Sequence, residues 1–169
     1  MTTSESTTVT IQERLDFSSA APQFSSAMNR LDSAATHELD RVGFPAGLRE
    51  LVRLRASQLN GCAYCVDLHT TAAVAAGENV QRIAAVAVWN ESTFFSARER
   101  AALAFAESVT LAAQTRVPAA DYDAVAEHWS PDEVGALLSL IITINAWNAI
   151  GVATRTWEPV LDPGSPTAG

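Results

Sequence analysis

Two cysteines and a histidine in the middle of the chain give the clearest chemical signal. Cys62 and Cys65 are separated by two residues, and His69 follows Cys65 by four positions. The preceding Asn60-Gly61 is a turn signal, so Cys62 is predicted to lie at the start of a new helix. Unpaired backbone N–H groups at a helix start favour negative charge and stabilise a thiolate. His69 shares a helix face with Cys65 and can accept its proton, directly or through one water.

Two neighbouring thiols with a base beside them favour a defined redox cycle. One thiolate attacks an electrophile such as a peroxide oxygen and becomes a sulfenic acid, which the second thiol converts to a disulfide. An external dithiol then restores both thiols. A helix start contributes up to about 1 kcal/mol, whereas a positioned base contributes about 10²–10⁴-fold, or roughly 3–5 kcal/mol. We therefore predict that Cys65 is the nucleophile and Cys62 the resolving thiol.

Glu50 is the candidate for orienting the histidine. It belongs to the helix before the Asn60-Gly61 turn, and it reaches His69 if that turn folds the two helices back on each other. On spacing alone, an ion pair with Arg53 one turn away is the simpler interpretation. Sequence alone does not decide between the two contacts.

Two simpler interpretations of the cysteines remain open. They can be inert core thiols, or they can bind zinc together with His69 and Glu50. Structural zinc sites usually have four Cys or His ligands, and the chain has no other cysteine. Asn145 and Asn148 are expected to form hydrogen bonds within a buried helix or across a subunit boundary. The four tryptophans are expected in the core or between subunits rather than at a ligand: Trp89, Trp129, Trp147 and Trp157.

The pattern of the whole chain predicts an all-α protein. Ala is the commonest residue, Leu, Arg and Glu are frequent, and runs of alternating β-branched and polar residues are missing. Two helix starts are marked by a capping box, Ser96 with Glu99 and Ser130 with Glu133. The predicted helices cover about Pro22 to Arg41, Leu48 to Leu59, Ala63 to Ala76, Val80 to Trp89, Ser96 to Ala113, and the stretch that follows Ser130.

Composition and charge narrow the functional class. With 169 residues the chain suits one domain, here residues 19–157 between a polar tail, 1–18, and a Pro/Gly-rich tail, 158–169. The net charge of −8 argues against nucleic acid and anionic membranes as partners. No secretory signal is predicted near the start, so we expect a cytoplasmic protein. The uncharged stretch from Val134 to Thr154 is long enough to span a membrane, but its polar interruptions favour a buried or subunit-facing helix.

The segment from Glu50 to His69 resembles the alkylhydroperoxidase D-like branch of the carboxymuconolactone decarboxylase family. The family pattern is a Glu, eleven residues, Cys-x-x-Cys, three residues and a His, and this sequence matches every spacing. Similar segments occur at Phe94–Ser96, at Arg98–Arg100 and at Ile144–Asn148. The resemblance spans about residues 20–157.

The resemblance implies a multihelical fold that assembles as homotrimers or homohexamers. It also implies an antioxidant oxidoreductase with thiol peroxidase (peroxiredoxin) activity, in which Cys65 is peroxidatic, Cys62 resolving, and Glu50 with His69 a proton relay. The expected substrate is a small hydroperoxide, and the expected partner is a dithiol, lipoylated or thioredoxin-like reductant. No cofactor and no metal are expected. The best-understood members have a histidine before the second cysteine, where this chain has Tyr64.

Two other functions are compatible with the sequence. The decarboxylase branch of the family performs acid–base chemistry on a small lactone or keto acid, which does not need the cysteine pair. A redox-sensing or metal-binding module would use the pair without turnover.

Overall fold

Helix caps set the clearest boundaries of the fold. Ser96 Oγ accepts the backbone N–H of Glu99, whose carboxylate accepts the backbone N–H of Ser96, and Ser130 and Glu133 repeat the arrangement. Each box satisfies backbone donors that a helix start leaves unpaired. Both predicted capping boxes are therefore confirmed.

The computed structural model describes residues 9–160, and the regular elements in this range are all helical. This confirms the predicted all-α fold class. The nine α-helices and one 3₁₀ helix in these residues are α1 Phe17–Ala20, α2 Pro22–Arg41, α3 Ala46–Asn60, α4 Ala63–Ala75, α5 Val80–Ala85, the 3₁₀ helix Val86–Glu91, α6 Ala97–Thr110, α7 Ala112–Thr115, α8 Ala119–Ala126 and α9 Pro131–Thr154.

Four details differ from the helices predicted by the sequence pattern, and the first is α1, which was not predicted and begins at Phe17 inside the predicted polar tail. The predicted helix from Val80 to Trp89 tightens into a 3₁₀ helix at Val86, with a kink at Val88. The helix that begins after Ser96 ends at Thr110, and α7 follows as a separate short turn. Helix α8 has no counterpart among the predicted helices, because its N-cap, Pro118, offers no side-chain acceptor. Residues 1–8 and 161–169 of the two predicted tails lie outside the described residues.

Helix α3 lies at the centre of the fold and packs against α4, α6 and α9. Its side chains Leu51, Val52 and Leu54 are fully buried, and they meet Leu103 of α6 and Leu140 of α9 in one apolar core. Burying a side chain of this size stabilises the fold by about 1.5–3 kcal/mol. The core therefore fixes α3 relative to its neighbours and provides a rigid base for the site.

Helix α9 is long and apolar enough to cross a membrane by length and composition. In the fold its inner face is buried at Leu137, Leu140 and Ile141, and it packs against α2, α3 and α6. Its opposite face leaves Ile142 half exposed. The packing supports a core helix with one uncovered apolar face.

A tight turn folds α4 back against α3. Gly61 ends α3 with a left-handed backbone, φ +70°, which glycine adopts without a steric penalty. The N–H of Cys62 donates to the carbonyl of Ser57 at 3.0 Å, so the next helix starts directly at Cys62. This helix pair brings positions 50 and 69 within reach of each other.

Candidate active site

Glu50 contacts both residues that the sequence offered as its partners. Its Oε2 lies 2.8 Å from Nδ1 of His69, and its Oε1 accepts a hydrogen bond of 2.6 Å from Arg53. All three side chains are largely buried, with 11–15% of each exposed. The two interpretations of Glu50 are therefore not alternatives, because one carboxylate holds the histidine and the arginine together.

The surroundings of Glu50 keep it ionised. Burial raises the pKa of its carboxyl, but the hydrogen bond from His69 and the charge of Arg53 outweigh burial, and the pKa lies below its usual value. A carboxylate only accepts hydrogen bonds, so Nδ1 of His69 must be the donor. In a neutral imidazole this leaves Nε2 as the basic nitrogen.

Cys62 and Cys65 lie at the start of α4 and are joined by a disulfide, with Cα atoms 5.3 Å apart. Cys62 is the N-cap residue, and its Sγ accepts the backbone N–H of Cys65 at 3.4 Å. The prediction that Cys62 begins a helix is therefore confirmed. Both cysteines are buried, with 3% of each exposed.

A cavity of about 440 Å³ opens beside Cys65 and His69. Its wall is mainly aromatic and aliphatic, and Arg53 and Asp32 add polar groups. A cavity of this size accommodates a small organic molecule. The apolar and aromatic residues that line it are Tyr64, Leu68, Ile144, Trp147 and Trp157.

The aromatic wall is a feature that the sequence analysis missed. Trp157 packs against Tyr64 and Trp147, with ring centroids 5.5 and 5.8 Å apart. Trp147 and Trp157 are partly exposed and line the cavity, so neither is a core residue, and their expected place between subunits stays a prediction. Trp129 does lie in the core, stacked on Phe44. No sequence signal separated these tryptophans, because the cavity forms only when the end of the chain packs beside α4.

An amide network with Asn148 and Ser57 at its buried end ties the α3–α4 turn to α9. Asn60 Nδ2 donates to Oδ1 of Asn145 at 2.8 Å and to Oδ1 of Asn148 at 3.0 Å. Asn148 in turn donates to Ser57 Oγ at 3.0 Å, and Asn145 donates to Thr110 Oγ1 at 3.1 Å. Asn145 also donates to the carbonyl of Ile141 at 2.8 Å, which confirms the expected bond within α9, and both asparagines bond to other helices and to the turn that precedes Cys62.

A glycine of α9 packs closely against the disulfide. A Cβ atom at Gly151 would lie 3.1 Å from Sγ of Cys62 and 3.4 Å from the ring of Trp157. The missing side chain therefore lets the sulfur and the indole both sit against the backbone of α9.

The structure thus brings the four predicted site residues into one region, and it places Cys65 and His69 on one cavity wall. Glu50 stands behind the histidine, and Cys62 is bonded to Cys65. In residues 9–160 there is no group of three or more His, Cys, Asp or Glu side chains placed to hold a metal ion.

Comparison with known proteins identifies the family. The profile of CMD, the carboxymuconolactone decarboxylase family, matches residues 22–108, and the chain belongs to this family. YdfG of Bacillus subtilis, an uncharacterized protein, is 45% identical over 105 residues, which cover 62% of this chain and 71% of YdfG. YnjA of Escherichia coli, also uncharacterized, is 32% identical over 94 residues, and the match spans 56% of this chain and about half of YnjA, 51%.

Solved structures show the same fold. A protein of unknown function from Agrobacterium tumefaciens, proposed to be the antioxidant defence protein AhpD, superposes with a TM-score of 0.82 at 32% identity. The match covers 89% of this chain and all of that one. The AhpD core of a peroxidase-related protein from Ralstonia eutropha has a TM-score of 0.72 at 24% identity, over 85% of this chain and 74% of that one. The debrominase Bmp8 shares the fold, with a TM-score of 0.67 at 21% identity over 82% and 73% of the two chains.

Proposed function

We propose that the protein is a thiol-dependent hydroperoxidase that uses Cys65 as nucleophile and Cys62 as resolving thiol. The observation that supports this most directly is the Glu50–His69 pair beside a cavity that Cys65 also lines. Membership of the family and the likeness to the AhpD-type protein of Agrobacterium tumefaciens support the same reaction class.

The proposed oxidation begins with the reduced pair. Nε2 of His69 accepts the proton of Cys65, and the thiolate attacks the distal oxygen of a hydroperoxide. The O–O bond breaks, Cys65 becomes a sulfenic acid, and the leaving alkoxide takes a proton from His69 to give an alcohol. Glu50 stabilises the histidine while it is charged.

The second step closes the disulfide. The Cys62 thiol attacks the sulfenic sulfur of Cys65, an S–S bond forms, and the hydroxyl group leaves as water with one proton. The short Cα separation at the start of α4 permits this bond without unwinding the helix. A dithiol then supplies two electrons and two protons and returns both cysteines to thiols.

Exchange of each cysteine for serine tests the assignment. Cys65→Ser should abolish hydroperoxide consumption, because no nucleophile remains beside His69. Cys62→Ser should allow one turnover and then hold Cys65 as a sulfenic acid, which a dimedone adduct detects by mass spectrometry. If Cys65→Ser retains the first turnover and Cys62→Ser loses it, the two roles are reversed.

Acid–base catalysis on a lactone or keto acid is the second candidate, since the Glu50–His69 pair does not depend on the cysteines for its geometry. The variant that lacks both cysteines distinguishes the two. Full activity on such a substrate without Cys62 and Cys65 would support the decarboxylase-type reaction. The thiol peroxidase would be supported if the variant lost hydroperoxide turnover and the wild type showed no activity on the lactone or keto acid.

A further inference from the structure

The two cysteines of the disulfide line different cavities. Cys65 lines the cavity that contains His69, whereas Cys62 is absent from its wall. Cys62 instead lines two others: an open surface depression of about 450 Å³ along α3 and α4, and a more enclosed cavity of about 290 Å³ beside the end of α9, which is the second cavity considered below. Tyr64 and Trp157 line both cavities, and their rings pack against each other.

The second cavity is built by the two ends of the described chain. Ile11 and Arg14 come from the segment before α1, Val152 comes from the last turn of α9, and Trp157 follows it. The backbone N–H of Arg14 donates to the carbonyl of Thr154 at 2.8 Å, and its guanidinium reaches the carbonyl of Ala153 at 3.3 Å. These bonds hold the first segment against the end of α9, over Cys62.

We propose that this second cavity is the access site for a small dithiol reductant, which attacks Sγ of Cys62. The inference rests on the proposed function, because it assigns the return half of the same redox cycle. The partly exposed side chains of Ile11 and Val152 and the indole of Trp157 give the cavity an apolar surface. Such a surface suits the hydrocarbon stem of a dithiol.

The exchange proceeds in two balanced steps. One thiolate of the reductant attacks Cys62, the bond to Cys65 breaks, and Cys65 leaves as a thiolate with the bonding electron pair. The second thiol of the reductant then attacks the reductant sulfur in the mixed disulfide and releases Cys62 as a thiol. The reductant ends as a cyclic disulfide, and two electrons and two protons pass to the cysteine pair.

Attack at Cys62 is favoured by the groups beside the leaving sulfur. The released Cys65 thiolate lies on the wall with His69, which stabilises it or supplies its proton. Attack at Cys65 would release the Cys62 thiolate instead. The hydrogen bond that would stabilise that thiolate is a long one, from the backbone N–H of Cys65 at 3.4 Å. Attack at Cys62 also leaves the substrate cavity free and regenerates the peroxide-attacking thiolate in place.

Trapping the mixed disulfide tests the site of attack. The oxidised wild-type protein is treated with 2-mercaptoethanol while N-ethylmaleimide caps every released thiol. The chain has no lysine, so trypsin yields both cysteines in one peptide, residues 56–82, and fragmentation between Ala63 and Tyr64 separates them. We expect mercaptoethanol on Cys62 and maleimide on Cys65. Mercaptoethanol on Cys65, or an equal distribution over both, would overturn the proposal.

Matched tryptophan substitutions test the cavity. Val152→Trp is designed to fill the second cavity, and Leu68→Trp to fill the first. In the wild type, Val152 and Leu68 have similar exposure, 41% and 46%. Val152→Trp should lower the ratio of the rate of disulfide reduction by dithiothreitol to the rate of oxidation by cumene hydroperoxide. We expect a change of about tenfold, because exchange depends on access to the attacked sulfur. Leu68→Trp should raise that ratio.

Val74→Trp is the control, because Val74 is 52% exposed on the same helix as Leu68 and lines neither cavity. It should leave the ratio as in the wild type. A ratio that does not fall in Val152→Trp would contradict the access site. The trapping experiment needs no hydroperoxide, so an oxidised pair that exchanges at Cys62 without reacting with hydroperoxides would refute the proposed function alone.

Discussion

At the scale of single residues, the division of Glu50 between two partners has a consequence for stability. The carboxylate stabilises the fold through Arg53 and His69, and its pKa in the folded protein lies below the usual value of about 4.3. A group with a lowered folded pKa contributes stability that is complete above the unfolded pKa and is lost as the pH falls through the folded pKa. The decrease in the free energy of unfolding at acidic pH therefore reports on the ionisation of Glu50.

We predict that Glu50→Gln destabilises the protein near neutral pH and that the difference from the wild type shrinks below about pH 4.3. The amide keeps the shape of the side chain but not its charge. Urea unfolding from pH 7 down to pH 3 measures the two free energies. Glu91→Gln, at an exposed carboxylate, controls for removal of one charge from an acidic protein. A difference that stays constant across this range would contradict the prediction.

At the scale of elements, the amide network between α3 and α9 should be costly to break. Asn148 is fully buried, and its loss leaves polar groups of Asn60 and Ser57 short of a partner. We predict that Asn148→Ala lowers the free energy of unfolding by about 1–3 kcal/mol. Denaturant titration measures it, and Asn90→Ala on the exposed surface should stay within about 0.5 kcal/mol of the wild type. Equal effects at both positions would mean that the network contributes nothing.

Two glycines of α9 provide a second comparison. Glycine to alanine in a helix ordinarily stabilises by up to about 1 kcal/mol. A Cβ atom at Gly135 would meet no other atom within 4 Å, so Gly135→Ala should gain this stability. Gly151→Ala should not gain it, because the new methyl group would press on Cys62 and Trp157. Thermal or denaturant unfolding of the two oxidised variants checks this, and an equal gain at both positions would show that α9 moves freely away from the disulfide.

The elements that the sequence predicted are those with local signals. The capping boxes at Ser96 and Ser130 and the left-handed turn at Gly61 depend on a few adjacent residues, so they can be found without knowing the fold. The contact between Glu50 and His69 could be anticipated only as a possibility, because it depends on how far α4 folds back. The pairing of Trp147 with Trp157 depends on the tertiary path of the chain after α9, which no local pattern specifies.

At the scale of the whole molecule, the outer face of α9 has an apolar surface without cover. Ile142, Ala149 and Ala153 are exposed and lie seven and four positions apart, which places them on one side of the helix, and Ile142 is 51% exposed. We propose that this face lies between subunits of a homo-oligomer, the assembly implied by the family resemblance. A charge placed there would have to be buried without a partner, which is unfavourable.

We predict that Ile142→Glu shifts the protein towards the monomer. Light scattering coupled to size-exclusion chromatography measures the mass of both forms. Val80→Glu adds the same charge at a residue 68% exposed on α5, and it should leave the mass unchanged. A wild-type protein that is already monomeric at micromolar concentration would refute the proposed interface.

The short span of the cysteine crosslink has a consequence for folding thermodynamics. Cys62 and Cys65 are three positions apart, so the bond closes a very small ring of chain. In the chain-entropy relation, closing such a ring raises the free energy of the unfolded chain by about 2 kcal/mol. A ring of about 100 residues raises it by about 4.7 kcal/mol. Oxidation therefore changes the conformational freedom of the unfolded chain much less than a long-range crosslink would. The helical core can keep most of its stability while the reactive pair opens and closes.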